Sequence, residues 1–428
     1  MCFFIKIIGL HFLPILKEHF MDIIQLITML IIILINGLAA MVSARYSKLP
    51  LTLCILFWGM LSSFIIPMVG FDTGLRADNF QDLILYVLIP ILVFEAALNL
   101  NTQVMRPLIG TILFSATIGM VTAALIAAAI LFYLVGHAQG FPWIAALMTG
   151  LVISATDPVA VITQLKKANA PDKLATLIEG ESLFNDATAI VLYGVLLAIA
   201  LGEHQVTGLG GIWLLAKVML GGLIVGVVLA KLAIFVLKVI PATSANFTVT
   251  SLALAYGSFY LAEHIFHVSG IIAVLTAALV AKDALLGLRA NKVEIHQSWE
   301  FLAFVANLFV FYLMGLVFTL KMFTDQWLAM LIGVLAAFVS RLVASYVSIA
   351  FGKFVLKAPV EWNYAPVMVW GGLRGVVTIA LVLSLPVELD YWWTIQSIGF
   401  GVVLFTLTIQ ATTNPWLVNK INFEHKRS

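Results

Sequence analysis

The sequence predicts an all-α polytopic membrane protein with about 13 transmembrane helices, built as two inverted repeats. Of its 428 residues, 62% are hydrophobic and 10% charged, and the mean hydropathy is +1.10. Soluble domains are roughly 45–50% apolar and about 25% charged. Apolar stretches of about 20 residues, enough to cross a bilayer, recur along the chain, and interruptions fall in the fifth and twelfth of them. A cytosolic enzyme, a nucleic-acid binder and a disordered scaffold are excluded.

The apolar stretches define thirteen spans. Backbone in lipid must satisfy its own hydrogen bonds and no β-barrel alternation appears, so we predict helices throughout. The spans cover about 22–44, 50–70, 80–100, 107–135, 141–165, 173–201, 209–239, 246–266, 268–287, 299–320, 327–355, 362–386 and 391–418. Together they form a single transmembrane domain, 22–418, with repeats at about 22–201 and 246–418. Residues 1–21 form an N-terminal segment, with Met1 and Met21 as alternative starts, and residues 419–428 are predicted to form a short cytoplasmic tail.

Lysine and arginine predict the orientation in the membrane. The connections after odd-numbered spans, together with the tail, carry 16 of the 23 basic residues. The opposite side carries four, and three lie within spans. The four are Lys6, Lys17, Arg76 and Lys321. We therefore expect a cytoplasmic C-terminus and an N-terminus outside.

Six of the charged side chains within the spans, four acids deep inside them and two arginines, stand out against the apolar pattern. Each costs about 2.5–3.5 kcal/mol on insertion scales, so a chain that only had to span would not retain them. They are Glu95, Asp157, Glu181, Asp186, Arg341 and Arg374. Either they pair to hold helices together or they form a functional site inside the membrane.

Two of these charges lie in breaks of the helical pattern. Asp157 precedes Pro158, an arrangement that begins a helix with Asp as the cap and Pro as the first residue. The fifth span is therefore predicted to be two half-helices, with a simple proline kink as the alternative. Gly371-Gly372-Leu373-Arg374-Gly375 breaks the twelfth span, where Arg374 can compensate the negative end of a half-helix. Paired broken helices in corresponding positions indicate a secondary transporter with its site at the midplane.

The sixth span adds a polar stripe. Ser182, Asn185 and Asp186 lie within about 100° of one another on a helix, whereas Glu181 points about 140° away from Asp186. Glu181 is therefore expected to meet an arginine of another helix. In the third span, Glu95 is followed one turn later by Asn99, and both either face the same cavity or bond to another helix.

Carboxylates beside hydroxyl and amide oxygens form a site suited to small, hard cations. Burial disfavours an ionised carboxylate, whereas a bound cation favours it, so a proton and a cation compete for the same oxygens. This competition is what an antiporter requires. The alternatives at this stage are a potassium/proton exchanger, a passive channel and an intramembrane aspartyl hydrolase.

Three motifs resemble those of the monovalent cation/proton antiporters, specifically the NhaP-like sodium/proton exchangers. They are Thr-Asp-Pro at 156–158, Gly-Glu-Ser-Leu-Phe-Asn-Asp at 180–186 and Gly-Gly-Leu-Arg-Gly at 371–375. The resemblance extends from about residue 22 to 418. It implies exchange of Na⁺ or Li⁺ for H⁺ by alternating access between the two sides of the membrane.

The resemblance also implies a role for each residue. Asp186 would carry the ion and the proton, and Asp157, Ser182 and Thr156 would complete the Na⁺ site. Asn185 would support that site, and its position in place of an aspartate implies electroneutral exchange. Glu95 would be an accessory acid. Glu181 and Arg341 would form a structural ion pair, and Arg374 would balance the crossing half-helices.

The family implies a homodimer in the lipid bilayer, with no cofactor besides the transported ions and no nucleic-acid partner. The chain ends about ten residues after its last span. This short tail favours the plasma membrane, of the bacterial inner-membrane type.

Overall fold

The computed structural model describes residues 23–47, 49–68, 83–136, 140–202, 208–241, 243–285, 292–421 and 423. These residues are almost entirely helical. The helices are α1 (Ile23–Ser47), α2 (Leu51–Met68), α3 (Leu83–Asn99), α4 (Thr102–Leu134), α5 (Trp143–Val152), α6 (Val159–Lys167), α7 (Asp172–Ala200), α8 (Gly208–Val239), α9 (Ser244–Tyr260), α10 (Gly270–Leu285), α11 (Lys292–Val317), α12 (Leu320–Phe354), α13 (Tyr364–Trp370), α14 (Val376–Leu383) and α15 (Trp392–Lys420). Segment 1–21 and most of the predicted tail lie outside the described residues.

The helices agree with the prediction of an all-α polytopic membrane protein. Within the described ranges, α1, α4, α7, α8, α11, α12 and α15 are long and apolar enough to cross a membrane. Both predicted interruptions occur, because α5 and α6 divide the fifth span and α13 and α14 divide the twelfth. The exact number of crossings and the inverted repeats stay predictions.

Two predicted helix starts need correction. Helix α11 begins at Lys292, seven residues before the predicted start at 299, because the largely polar stretch 292–298 continues the helix beyond its apolar part. Helix α12 begins at Leu320 rather than 327, so that Lys321 lies in a helical turn and not in the connection. Gln326 (φ −123°, ψ 16°) kinks α12 immediately before the predicted start.

The helices pack as two bundles. The first bundle comprises α1, α2, α3, α8, α9, α10 and α11, and the second comprises α4, α5, α6, α7, α12, α13, α14 and α15. Between the bundles, α11 packs on α14, α7 packs on α3 and α8, and α2 touches α15. Every predicted site residue except Glu95 belongs to the second bundle.

Backbone contact holds the first bundle together at the crossing of α2 and α11. A Cβ at Gly59 would lie 2.4 Å from the carbonyl oxygen of Tyr312, and one at Gly315 would lie 2.4 Å from that of Leu56. Only glycine allows so close an approach. The backbones of α2 and α11 are therefore closely packed where the two helices cross in the first bundle.

Candidate ion-binding site

The site is built where the two broken helices cross. Helix α5 ends at Val152 and α6 begins at Val159, while α13 ends at Trp370 and α14 begins at Val376. The extended residues between them pass side by side, and the backbone N–H of Asp157 donates to the carbonyl oxygen of Leu373 at 2.8 Å. Two helix starts and two helix ends are thereby brought together inside the second bundle.

Asp157 caps helix starts at this crossing. Its Oδ1 accepts a hydrogen bond of 3.0 Å from the backbone N–H of Val159, and the backbone of Val376 also donates to the carboxylate. The positive ends of α6 and α14 therefore both face Asp157. A Cβ at Gly375 would lie 1.9 Å from Asp157 Oδ2, so the carboxylate occupies space that only glycine leaves open.

Arg374 supplies the opposite charge at the crossing. Its Nη1 donates to the carbonyl oxygens of Ser154 and Ala155, at 3.3 and 3.2 Å, just beyond the carbonyl end of α5. A positive charge at a helix C-terminus opposes the helix dipole. The guanidinium is only 2% exposed, so it stabilises these carbonyls without competition from bulk water.

Helix α7 brings its polar stripe to the same place. Ser182 Oγ donates a short hydrogen bond to the carbonyl oxygen of Thr156, and Asn185 Nδ2 donates to Thr156 Oγ1 at 2.9 Å. All three residues are buried. Asp186, on the same face of α7, is half-buried, and its carboxylate repels that of Asp157 when both are ionised.

A cavity of about 460 Å³ gives access to the two carboxylates. Thr156, Asp157, Ser182 and Asp186 line it together. Their hydroxyl, carbonyl and carboxylate oxygens are hard ligands, which suit small cations without d-electron preferences. In the part of the chain that the structure describes, no group of three or more His, Cys, Asp or Glu side chains could hold a resident metal ion.

The first bundle lines the other side of this cavity. Glu95 and Asn99 of α3 both face it, and Asn99 Nδ2 donates a short hydrogen bond to Glu95 Oε1. Glu179, about 10 Å from Asp186 along α7, lines the cavity with Lys166 and Glu300. Glu95 is therefore placed where an accessory acid would act.

Asn307 is a residue of this region that sequence reasoning missed. It lies on α11 and lines both the 460 Å³ cavity and a second one of about 830 Å³. Asp157 also lines both cavities. The signal in the sequence was an amide within the otherwise apolar stretch 301–317, which does not reveal what the side chain faces.

Glu181 points away from the cavity and pairs with Arg341. Arg341 Nη1 and Nη2 donate to Glu181 Oε1 and Oε2 at 2.5 and 2.9 Å, a bidentate pair, and Arg341 Nε donates to the carbonyl oxygen of Met368 at 3.1 Å. Ser115 Oγ also donates to Glu181 Oε1, at 2.7 Å. The ion pair joins α7 to α12, and the hydrogen bond from Ser115 adds α4. This hydrogen bond was not predicted.

Known proteins share both the sequence and the fold. Residues 26–420 match the family model described as sodium/hydrogen exchanger, transmembrane. The chain is 31% identical over 390 residues to the Na⁺/H⁺ antiporter ApNhaP of Aphanothece halophytica, covering 89% of this chain and 71% of that protein. It is 31% identical over 419 residues to the Na⁺/H⁺ antiporter NhaP of Pseudomonas aeruginosa, covering 91% and 95%.

The fold is also similar to that of a solved structure, the sodium proton antiporter MjNhaP1 from Methanocaldococcus jannaschii at pH 8. The TM-score is 0.76 at 20% sequence identity, covering 94% of this chain and 99% of the other. The sequence matches span nearly all the described helices, including both breaks. The chain therefore belongs to the transmembrane sodium/hydrogen exchanger family.

Proposed function

We propose that this protein is a secondary active transporter that exchanges sodium ions for protons across the membrane. The observation that carries the proposal is the pair Asp157 and Asp186, which line one cavity with the oxygens of Thr156 and Ser182 inside an apolar helical bundle. The two relatives above, both Na⁺/H⁺ antiporters, support it. No cofactor is needed besides the transported ions.

Competition between the two ions follows from the single set of oxygens. A sodium ion bound between the carboxylates favours their ionised forms, and a proton on one carboxylate removes a ligand for sodium. Asp186 is proposed to carry either ion. Asn185 cannot titrate, so one sodium is exchanged for one proton and the cycle moves no net charge.

Alternating access is proposed to come from movement of the second bundle against the first. The hydrogen bonds that shape the site join residues of the second bundle: Ser182 and Asn185 to Thr156, and Arg374 to Ser154 and Ala155. The site can therefore move as a unit past α3 and α11. Broken helices at corresponding positions are the arrangement expected of inverted repeats that work in this way.

The basic residues near the cavities support the proposed orientation in the membrane. Lys166 lines the smaller cavity and Lys167 the larger. The positive-inside rule assigns this side to the cytoplasm, so both cavities are proposed to open inwards. The physiological form is proposed to be a homodimer in a plasma membrane of the bacterial inner-membrane type.

The test is sodium-driven proton movement by the purified protein in liposomes, followed with a pH-sensitive dye. Wild-type protein should move protons when sodium is added, and Asp186→Asn should not, while it remains folded. Thr188→Val is the matched control, because Thr188 lies on α7 and its hydroxyl bonds to the Phe184 carbonyl of the same helix. Sodium-driven exchange by Asp186→Asn would refute the assignment.

The same assay tests the potassium/proton alternative, which nothing in the site favours. Potassium should drive less proton movement than sodium at equal concentration. Exchange driven by potassium but not by sodium would overturn the proposed ion. A flux that requires no opposing proton movement would identify a channel instead.

A further inference from the structure

Of the buried side-chain atoms without a hydrogen-bond partner in the described part of the chain, two belong to residues that line one small cavity beside the half-helix crossing. Arg374 Nε and Gln410 Oε1 have no hydrogen-bond partner among the residues that the structure describes. Arg374 is 2% exposed and Gln410 4% exposed, so bulk water does not reach them. Buried polar atoms in proteins are paired in the large majority of cases, with protein atoms or with ordered water. This pair of atoms therefore requires an explanation.

Both residues line one small cavity, of about 10 Å³. Arg341 and Thr406 contribute the other polar side chains, and apolar side chains of α12, α13 and α15 complete the walls. The volume is close to the minimum that holds one water molecule, which needs two to four polar partners. One unpartnered atom is a donor and the other an acceptor, the complementary pair that a single water can bridge.

The backbone of α15 is irregular at this point. Thr406–Gln410 forms a π-helical turn, a feature that occurs frequently at functional sites. Both ends of the turn face the cavity, and Thr406 Oγ1 accepts a hydrogen bond of 3.2 Å from the backbone N–H of Arg374. The π-helical turn therefore holds α15 against the half-helix crossing.

We propose that this cavity binds one water molecule, which accepts from Arg374 Nε and donates to Gln410 Oε1. Gln410 is then a positioning residue for Arg374. A chloride ion is disfavoured because it is larger than water and because Glu181 already neutralises Arg341, the second guanidinium at the cavity. One neutral water molecule is then enough to bond both Arg374 Nε and Gln410 Oε1.

The water would act on the ion site through Arg374. The guanidinium holds the carbonyl oxygens of Ser154 and Ala155, immediately before Thr156, whose hydroxyl and carbonyl belong to the site. Fixing Nε limits rotation of the guanidinium and thus the position of these carbonyls. This functional part of the inference rests on the proposed sodium/proton exchange, whereas the binding of water does not.

The direct test is a high-resolution structure of the whole protein in bromide-containing buffer. One water peak is expected within hydrogen-bond distance of Arg374 Nε and Gln410 Oε1, and it should be absent in Gln410→Leu. An anomalous bromide signal in the cavity would overturn the proposal in favour of an anion. A direct hydrogen bond between Arg374 and Gln410, with no peak, would overturn it as well.

The functional test compares Gln410→Leu with Gln410→Glu, which keeps an acceptor oxygen at that position. Gln410→Leu should raise the half-saturating sodium concentration about tenfold, equivalent to about 1.4 kcal/mol, without changing the maximal rate. Gln410→Glu should stay near wild type. Ser397→Ala is the control, because Ser397 lies on α15, away from the cavity, and bonds to the Trp393 carbonyl of its own helix.

The outcomes separate this inference from the proposed function. If Gln410→Leu lowers only the melting temperature or the maximal rate, Gln410 fills space and positions nothing, and its proposed role is wrong. If both Gln410 variants match wild type, the role is equally wrong. If the wild-type protein exchanges no sodium, the proposed function fails, while the water peak still decides whether the binding site exists.

Discussion

Glu181→Ala should destabilise the protein without removing any oxygen of the ion site. The change removes both hydrogen bonds between Arg341 and the carboxylate and leaves Ser115 Oγ without its acceptor. Arg341, which is 6% exposed, keeps only its bond to the Met368 carbonyl. Removing one partner of a buried ion pair typically costs about 3–5 kcal/mol, because the other charge stays buried and unpaired.

This cost predicts a measurable fall in melting temperature. At an unfolding entropy of about 2.1 cal/mol/K per residue, 1 kcal/mol corresponds to about 1 °C for a chain of this length. We therefore expect Glu181→Ala to melt about 3–5 °C below wild type. Ser115→Ala removes one hydrogen bond to a charged group, worth about 1.5–3 kcal/mol, and should lower the melting temperature less.

The decisive comparison is the double variant Glu181→Gln with Arg341→Gln, which leaves no unpaired charge. It should recover much of the lost stability and still exchange sodium for protons in liposomes. Melting can be followed by the fluorescence of the native tryptophans in detergent. If the double variant is no more stable than Glu181→Ala, the burial of an unpaired Arg341 is not the cause and the reasoning is wrong.

Three other predictions concern the site itself. As pH falls, the half-saturating sodium concentration in liposomes should rise, with little change in maximal rate. Where protons saturate the site, the rise should approach about tenfold per pH unit. Independent effects of the two ions would refute a shared site. Exchange should carry no steady current on a solid-supported membrane, and a sodium-coupled current would point to a second proton carrier, with Glu95 the first suspect. Gly375→Ala should lose both thermal stability and exchange, because its Cβ would lie 1.9 Å from Asp157 Oδ2; a variant as stable and active as wild type would contradict the observed crossing.

The sequence predicts the fold and both helix breaks because bilayer physics makes them conspicuous. An apolar span of fixed length is visible in composition, and a charge inside it stands out because of its desolvation cost. The opposed directions of Glu181 and Asp186 follow from helical geometry alone. The structure accordingly shows Glu181 bonded to Arg341 and Asp186 facing the cavity.

Uncharged side chains outside the three motifs could not be predicted as part of the site or of the ion pair. No sequence pattern distinguishes three such residues from the many other hydroxyl and amide side chains of the spans: Ser115, Asn307 and Gln410. Their neighbours lie far away along the chain, so only the packing of the bundles reveals them. The early starts of α11 and α12 were not predicted either. Hydropathy shows only the part of a helix that lies in the hydrocarbon, and a helix can continue beyond it.

The structure assigns different environments to the two carboxylates of the site. The carboxylate of Asp157 accepts hydrogen bonds from backbone N–H groups at the starts of α6 and α14, and these donors are fixed parts of the fold. Asp186 lies on the side of a continuous helix, and within the described residues its main electrostatic neighbour is Asp157. A partner for the charge of Asp186 can therefore enter from the cavity, and in the proposed exchange that partner is a sodium ion or a proton. In the proposed exchange, the anchored carboxylate of Asp157 would be a fixed ligand and the unanchored one of Asp186 an exchangeable carrier. This division of roles supports Asp186 as the carrier on physical grounds, independently of any family resemblance.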